Sequence, residues 1–146
     1  KGNPLKFKFS KPKVSDLNFS FSGIKTSILY FVKSQIQKDP EFIEKNLNDI
    51  SASIQYSLVE ILMEKLIKAA NKYKISNIAI AGGVSANSLL RIEIEKVKKI
   101  YNWTTFIPKI EYCTDNAAMI AIAAHYYIKE KRFDDINVCP NPRLNF

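Results

Sequence analysis

Four positions in this chain are suited to hold a ligand: Gly82, Gly83, Asn87 and Asp115. The two glycines stand side by side in "IAIAGGVSANSLLR", Ile78 to Arg91, and are half of the chain's four. They end a short apolar run and precede a helix start. Without a Cβ, glycine lets backbone approach a ligand closely. Free N–H groups at a helix start suit an anion or a sugar hydroxyl, and in open α/β sheets this strand-to-helix edge is where ligands bind. The spacing is neither GxGxxG nor GxxxxGKS, so neither phosphate-loop fingerprint applies. A tight turn with Ser85 as N-cap and no ligand explains the same residues. Asn87 offers two donors and an acceptor, enough for a ribose or a base edge; it also reads as a solvent-facing residue of the first helical turn. Asp115, in "YCTDNAAMIA", is a candidate metal ligand, but Thr114 or Asp115 can equally cap the helix that follows. One carboxylate does not make a transition-metal site.

Other chemistry is scarce. His125 is the single histidine, and ten helical residues put it about 15 Å beyond Asp115. It reads as a helix-surface or interface histidine. No Ser–His–Asp or Cys–His set can be assembled. Cys113 and Cys139 form no CxxC pair, which argues against a structural zinc site, and two isolated cysteines fit a reducing cytoplasm. Glu60 and Glu64 lie on an amphipathic stretch and read as a solvated face.

The elements that must position these residues alternate. "DLNFSF" (Asp16 to Phe21) places Leu17, Phe19 and Phe21 on one face, as a half-buried strand does. A helix capped by Ser22 follows, with Ile24, Ile28, Phe31 and Ile36 at near-helical spacing. At "DPEF" Asp39 reads as N-cap and Pro40 as the first helical residue. That helix has a possible break at Asn46 to Asp49, then an amphipathic run to about Tyr73. Ile75 to Ala81 is nearly continuously apolar, the pattern of a central strand covered on both faces. A helix from about Ser85 to Ile100, a strand at "WTTFIP" (Trp103 to Pro108), a helix from Asn116 to about Lys129 and an extended tail complete an α/β layered pattern.

With 146 residues the chain makes one domain with a sizeable core. Its 47% apolar and 25% charged residues exclude a disordered chain. "AAMIAIAA" (Ala117 to Ala124) is too short to span a bilayer, so no membrane association is expected. The chain opens on Lys1 with no signal segment, and "KGNPLKF" reads as the middle of a longer protein. A formal charge of +8 permits a polyanionic partner, although lysines on solvated helix faces account for it as well. Near the start, Lys1, Lys6, Lys8, Lys11 and Lys13 cluster, with Phe7 and Phe9 interleaved. That alternation suits an edge strand with one buried face better than a base-stacking platform.

Three blocks, "FSFSGIKTS" (Phe19 to Ser27), "IAGGVSANSLLR" (Ile80 to Arg91) and "YCTDNAAMIA" (Tyr112 to Ala121), together with the opening "KGNP", resemble the C-terminal part of the bacterial TsaD family in order and spacing. These are the tRNA threonylcarbamoyladenosine transferase subunits long known as O-sialoglycoprotein endopeptidases. The resemblance covers essentially the whole chain. It implies an α/β fold: an RNase H-like lobe of the actin, Hsp70 and sugar-kinase superfamily, with a mixed sheet and flanking helices. Residues 1–146 would be a single domain, the C-terminal lobe of a two-lobed enzyme. It further implies that Gly82 and Gly83 line the adenosine side of a cleft, that Asn87 binds substrate and that Asp115 is a metal ligand. The metal, one divalent iron or zinc ion, would be completed by two histidines of an HxxxH motif in the N-terminal lobe. The implied reaction moves a threonylcarbamoyl group from threonylcarbamoyl-AMP to the exocyclic amine of an adenosine beside the tRNA anticodon. Implied partners are tRNA and the TsaB and TsaE proteins, in the cytoplasm; alone, the lobe would be inactive. Alternatives are a kinase or chaperone module of the same superfamily, which would need phosphate loops, and a metalloendopeptidase, which would need an HExxH-type set.

Overall fold

The structure, a computed structural model, describes residues 2–12 and 14–141; Lys1 and Lys13 of the N-terminal basic cluster lie outside them. Helix α1 (Phe21–Ile36) and the long helix α2 (Phe42–Tyr73) precede strand β1 (Asn77–Ala79). A single 3-10 turn (Gly83–Ala86), helix α3 (Ser88–Tyr101) and strand β2 (Thr104–Phe106) follow. A second 3-10 turn (Ile110–Tyr112) leads into helix α4 (Ala117–Lys129). The architecture is α/β, built on one β–α–β unit. Its strands are parallel, pairing Asn77 with Thr104, Ile78 with Thr105 and Ala79 with Phe106.

The core lies where α3 crosses α2. Val59 and Met63 of α2 meet Leu90 and Ile94 of α3, flanked by Leu66, Ile80 and Val97. Ile94 is fully buried. A second cluster joins Ala70, Ile78 and Trp103, so the sheet is seated on the C-terminal half of α2. Leu90, Ile94 and Val97 form the stripe expected of α3; Tyr101 instead is exposed and stacks on Trp103 at 5.4 Å.

Several sequence expectations change. The apolar run Ile75 to Ala81 yields only a three-residue strand, and Ile78 alone is buried. This strand is covered on one face, not two. Among the described residues the sheet is two parallel strands, not a mixed sheet. "DLNFSF" is no strand: Asp16 takes a left-handed conformation (φ 49°), and Ser20 Oγ accepts from Gly23 N at 3.2 Å. That bond makes Ser20, not Ser22, the N-cap of α1, so Phe21 is already helical. Asp39 closes a turn before α2, accepting from Glu41 N at 3.0 Å, and the helix itself begins at Phe42. No break occurs at Asn46 to Asp49, because those polar groups are used sideways: Asn46 Nδ2 donates to the Phe42 carbonyl, and Asp49 receives the N-terminal segment.

That segment is a strap rather than an edge strand. Three of its backbone N–H groups bond helix side chains: Asn3 N to Asp49 Oδ1 at 2.7 Å, Phe7 N to Ser53 Oγ at 3.2 Å and Ser10 N to Ser27 Oγ at 3.1 Å. Phe7 and Phe9 enter an aromatic cluster with Phe31 and Phe42, and the phenyl rings are packing groups there. Gly2 lies against α2 so closely that a side chain would collide with the Asn48 carbonyl. Lys6 Nζ on Asp49, at 2.6 Å, holds that carboxyl below its ordinary range.

Candidate functional site

The Ile80–Asn87 segment is shaped by one bond set. Gly82 sits at φ 75°, ψ 177°, a region that is essentially glycine's own. Its carbonyl then accepts from both Ser85 N at 3.0 Å and Ser85 Oγ at 2.7 Å. Ser85, nearly fully buried, therefore closes the 3-10 turn and is not a helix cap. Asn87 is the cap: its Oδ1 accepts from Leu90 N at 3.1 Å. The same oxygen accepts from Gln55 Nε2 of α2 at 3.2 Å. A backbone N–H can only donate, so this bond fixes which end of the amide is oxygen. Among the described residues Asn87 therefore has its two N–H donors unused and its acceptor taken.

At the second helix start the competition among capping residues is settled too. Asn116 Oδ1 accepts from Met119 N at 3.0 Å and caps α4. Neither Thr114 nor Asp115 does this. The Asp115 carboxylate is exposed and makes no hydrogen bond or ion pair among the described residues.

Between the glycine turn, the loop after β2 and the start of α4 lies an open cleft of about 360 Å³. Gly82, Gly83, Pro108, Cys113, Asp115 and Met119 are among its lining residues. Three of the four candidate positions thus share one cavity. Asn87 does not line it, and His125 is exposed on α4, against Tyr126. A Cβ added at Gly82 or Gly83 would meet nothing within 4 Å. Gly82 is explained by its φ; nothing among the described residues requires glycine at Gly83. A larger groove of about 450 Å³ also reaches Ile80 and Ala81, but its walls are apolar apart from Lys65 and Ser85, and none of the four positions lines it.

The sequence does not single out Arg91 or Gln55, and it marks Cys113 only as an isolated cysteine. Arg91 Nε donates to the Ser85 carbonyl at 2.6 Å, and Nη2 donates to the Pro108 carbonyl at 2.7 Å and to Cys113 Sγ at 3.1 Å. The one available signal was its place at the end of the "GGVSANSLLR" block.

An exposed carboxylate with free lone pairs at the mouth of a cleft fits a hard or borderline cation. Among the described residues no group of three His, Cys, Asp or Glu side chains could hold one. Asp115 therefore does not form a complete cation site with the described residues. No helix among the described residues is long and apolar enough to cross a membrane.

A family model described as "TsaD: tRNA N6-adenosine threonylcarbamoyltransferase" matches residues 1–122. A tRNA N6-adenosine threonylcarbamoyltransferase of Christiangramia forsetii is 52% identical over 145 residues, covering 99% of this chain and 43% of that protein. Proteins of the same name from Porphyromonas gingivalis and Fervidobacterium nodosum are 47% and 44% identical, each covering 98% of this chain and 42% of their own length. The chain thus spans less than half the length of these relatives, and its match to them is nearly end to end. On the shared blocks, the family match and these identities, the chain belongs to the TsaD family.

Proposed function

We propose that residues 1–146 form the C-terminal lobe, RNase H-like and of the actin and sugar-kinase type, of a tRNA threonylcarbamoyltransferase. The observation that carries this reading is the meeting of the Gly82–Gly83 turn and the unpartnered Asp115 carboxylate in one cleft. The whole enzyme would act on threonylcarbamoyl-AMP and tRNA. The exocyclic amine of the adenosine next to the anticodon attacks the acyl carbonyl carbon and loses a proton to solvent. The bond from that carbon to the phosphate oxygen breaks, and AMP leaves with the electron pair.

The chain's own residues bind and orient. Gly82 and Gly83 let the adenylate lie against backbone. Asn87 does not line the cleft; with only donors to offer, it would select an acceptor, such as a hydroxyl or carbonyl oxygen, on a part of the ligand that reaches beyond it. Asp115 supplies one ligand to a divalent iron or zinc ion whose other ligands are histidines of an N-terminal lobe. Bound there, such an ion supplies Lewis-acid polarisation of the acyl carbonyl. Much of the remaining acceleration comes from holding donor and amine in reacting geometry. TsaB and TsaE as protein partners, a tRNA surface served by the +8 charge, a cytoplasmic location and inactivity of this lobe alone complete the proposal.

The test is the full-length protein with its partners, threonylcarbamoyl-AMP and unmodified tRNA. AMP and modified adenosine are expected in equal amounts. Phosphoryl transfer or peptide cleavage without nucleoside product would overturn the reading in favour of a kinase-like module or an endopeptidase. A smaller effect separates the two duties of Asn87. Asn87→Ser keeps a good N-cap, so stability should change by only a few tenths of a kcal/mol. Loss of the amide donors should weaken adenylate binding roughly tenfold. An unchanged dissociation constant in a titration would leave Asn87 as a cap only.

A further inference from the structure

Arg91 joins three segments that are distant in sequence. Ser85 closes the 3-10 turn that begins at Gly83, whereas Pro108 and Cys113 line the cleft beside Asp115. The guanidinium bonds one acceptor from each of these places, two carbonyls and a thiol. Arg91 does not itself line the cleft, so it acts through the residues it holds. A planar guanidinium presents its donors at fixed angles, and it therefore fixes the relation between its acceptors, which a flexible ammonium does not. Cys113 is almost fully buried and donates in turn to the Lys109 carbonyl at 3.4 Å. This pins the loop two residues before Asp115. Because the Asp115 carboxylate has no partner of its own among the described residues, its position depends on that pin.

We infer that Arg91 is a positioning residue for acyl transfer: it sets the separation between the Gly82–Gly83 turn and Asp115, and so aligns the two ends of the cleft on one bound adenylate. The inference rests on reading this cleft as the adenylate site. It is tested in the full-length protein with Arg91→Lys and Arg91→Ala. Arg91→Lys keeps the charge and reaches one acceptor at a time. It is expected to unfold cooperatively near the wild-type temperature, with kcat for transfer down roughly 100-fold, the size of a 1 Å misplacement, and KM for tRNA unchanged. Millimolar guanidinium is expected to restore part of the rate of Arg91→Ala by refilling the vacated site. Wild-type kcat in Arg91→Lys, or a folded Arg91→Ala whose rate guanidinium leaves unchanged, would reduce Arg91 to a stabilising residue. If the alanine variant does not fold, the lysine variant decides alone. A wild-type protein that binds no threonylcarbamoyl-AMP overturns the functional reading instead, before any Arg91 variant is measured.

Discussion

Asp115→Ala in the full-length protein is expected to leave the fold intact and to remove both bound metal and transfer activity. The first half follows from what Asp115 does not do. Its side chain is exposed, it caps no helix, since Asn116 does that, and it forms no ion pair among the described residues. Substitution at such a surface position changes stability by no more than about 0.5 kcal/mol. The second half follows from ligand arithmetic. Loss of a group that merely orients a metal ligand costs about 10–100-fold in affinity, so loss of the ligand itself should cost roughly 100-fold or more. Elemental analysis of the purified variant gives the metal ratio, and thermal unfolding reports the fold. Asp115→Asn refines the test, because it keeps the shape and removes the charge. Full metal content in both variants would sink the assignment of Asp115 as a ligand, whatever the activity.

Much of this site was legible in the sequence, and what was not has specific physical causes. Gly82, Gly83 and Asp115 were candidates by residue type, each with a plain turn or cap as the alternative, and only the family resemblance gave them ligand roles; the structure gathers all three around one cleft. Which residue caps α4 was not visible. Thr114, Asp115 and Asn116 are all good capping residues, and only backbone geometry gives the duty to Asn116. The length of β1 was not visible either. Apolar residues at Ile75 and Ile80 continue the pattern, but pairing stops where β2 stops, at three residues. "DLNFSF" alternates like a strand yet has no partner strand among the described residues, and the Ser20 cap draws Phe21 into a helix. Local capping outweighed a period-2 pattern. Arg91 is the clearest omission. Two of its acceptors lie 17 and 22 positions away, and two of the three are backbone carbonyls. Main-chain acceptors leave no mark in a sequence.

The two adjacent glycines should part company when each is replaced by alanine. Gly82 has φ 75° and ψ 177°, where a Cβ is strained whatever space surrounds it. Gly82→Ala should therefore cost about 1–3 kcal/mol of stability, and it should also disturb the turn that Ser85 and Arg91 hold. Gly83 has neither problem. It is the first residue of the 3-10 turn, its φ lies outside the left-handed region, and an added Cβ would meet no atom within 4 Å. By conformational entropy alone Gly83→Ala should be neutral or stabilising by about 0.4–1 kcal/mol. Gly83 nonetheless lines the cleft, and if backbone there lies against the adenylate, a methyl group stands in the ligand's place. The expected result for Gly83→Ala is an unfolding temperature equal to or above that of the parent, with adenylate affinity reduced roughly tenfold; an overpacked methyl contact costs about 1–3 kcal/mol. Calorimetric titration and thermal unfolding on the same preparation give both numbers. Unaltered affinity in Gly83→Ala would mean that only Gly82 has a reason to be glycine, and that the reason is the turn. Lost affinity with retained stability would show space kept open for something the chain itself does not supply.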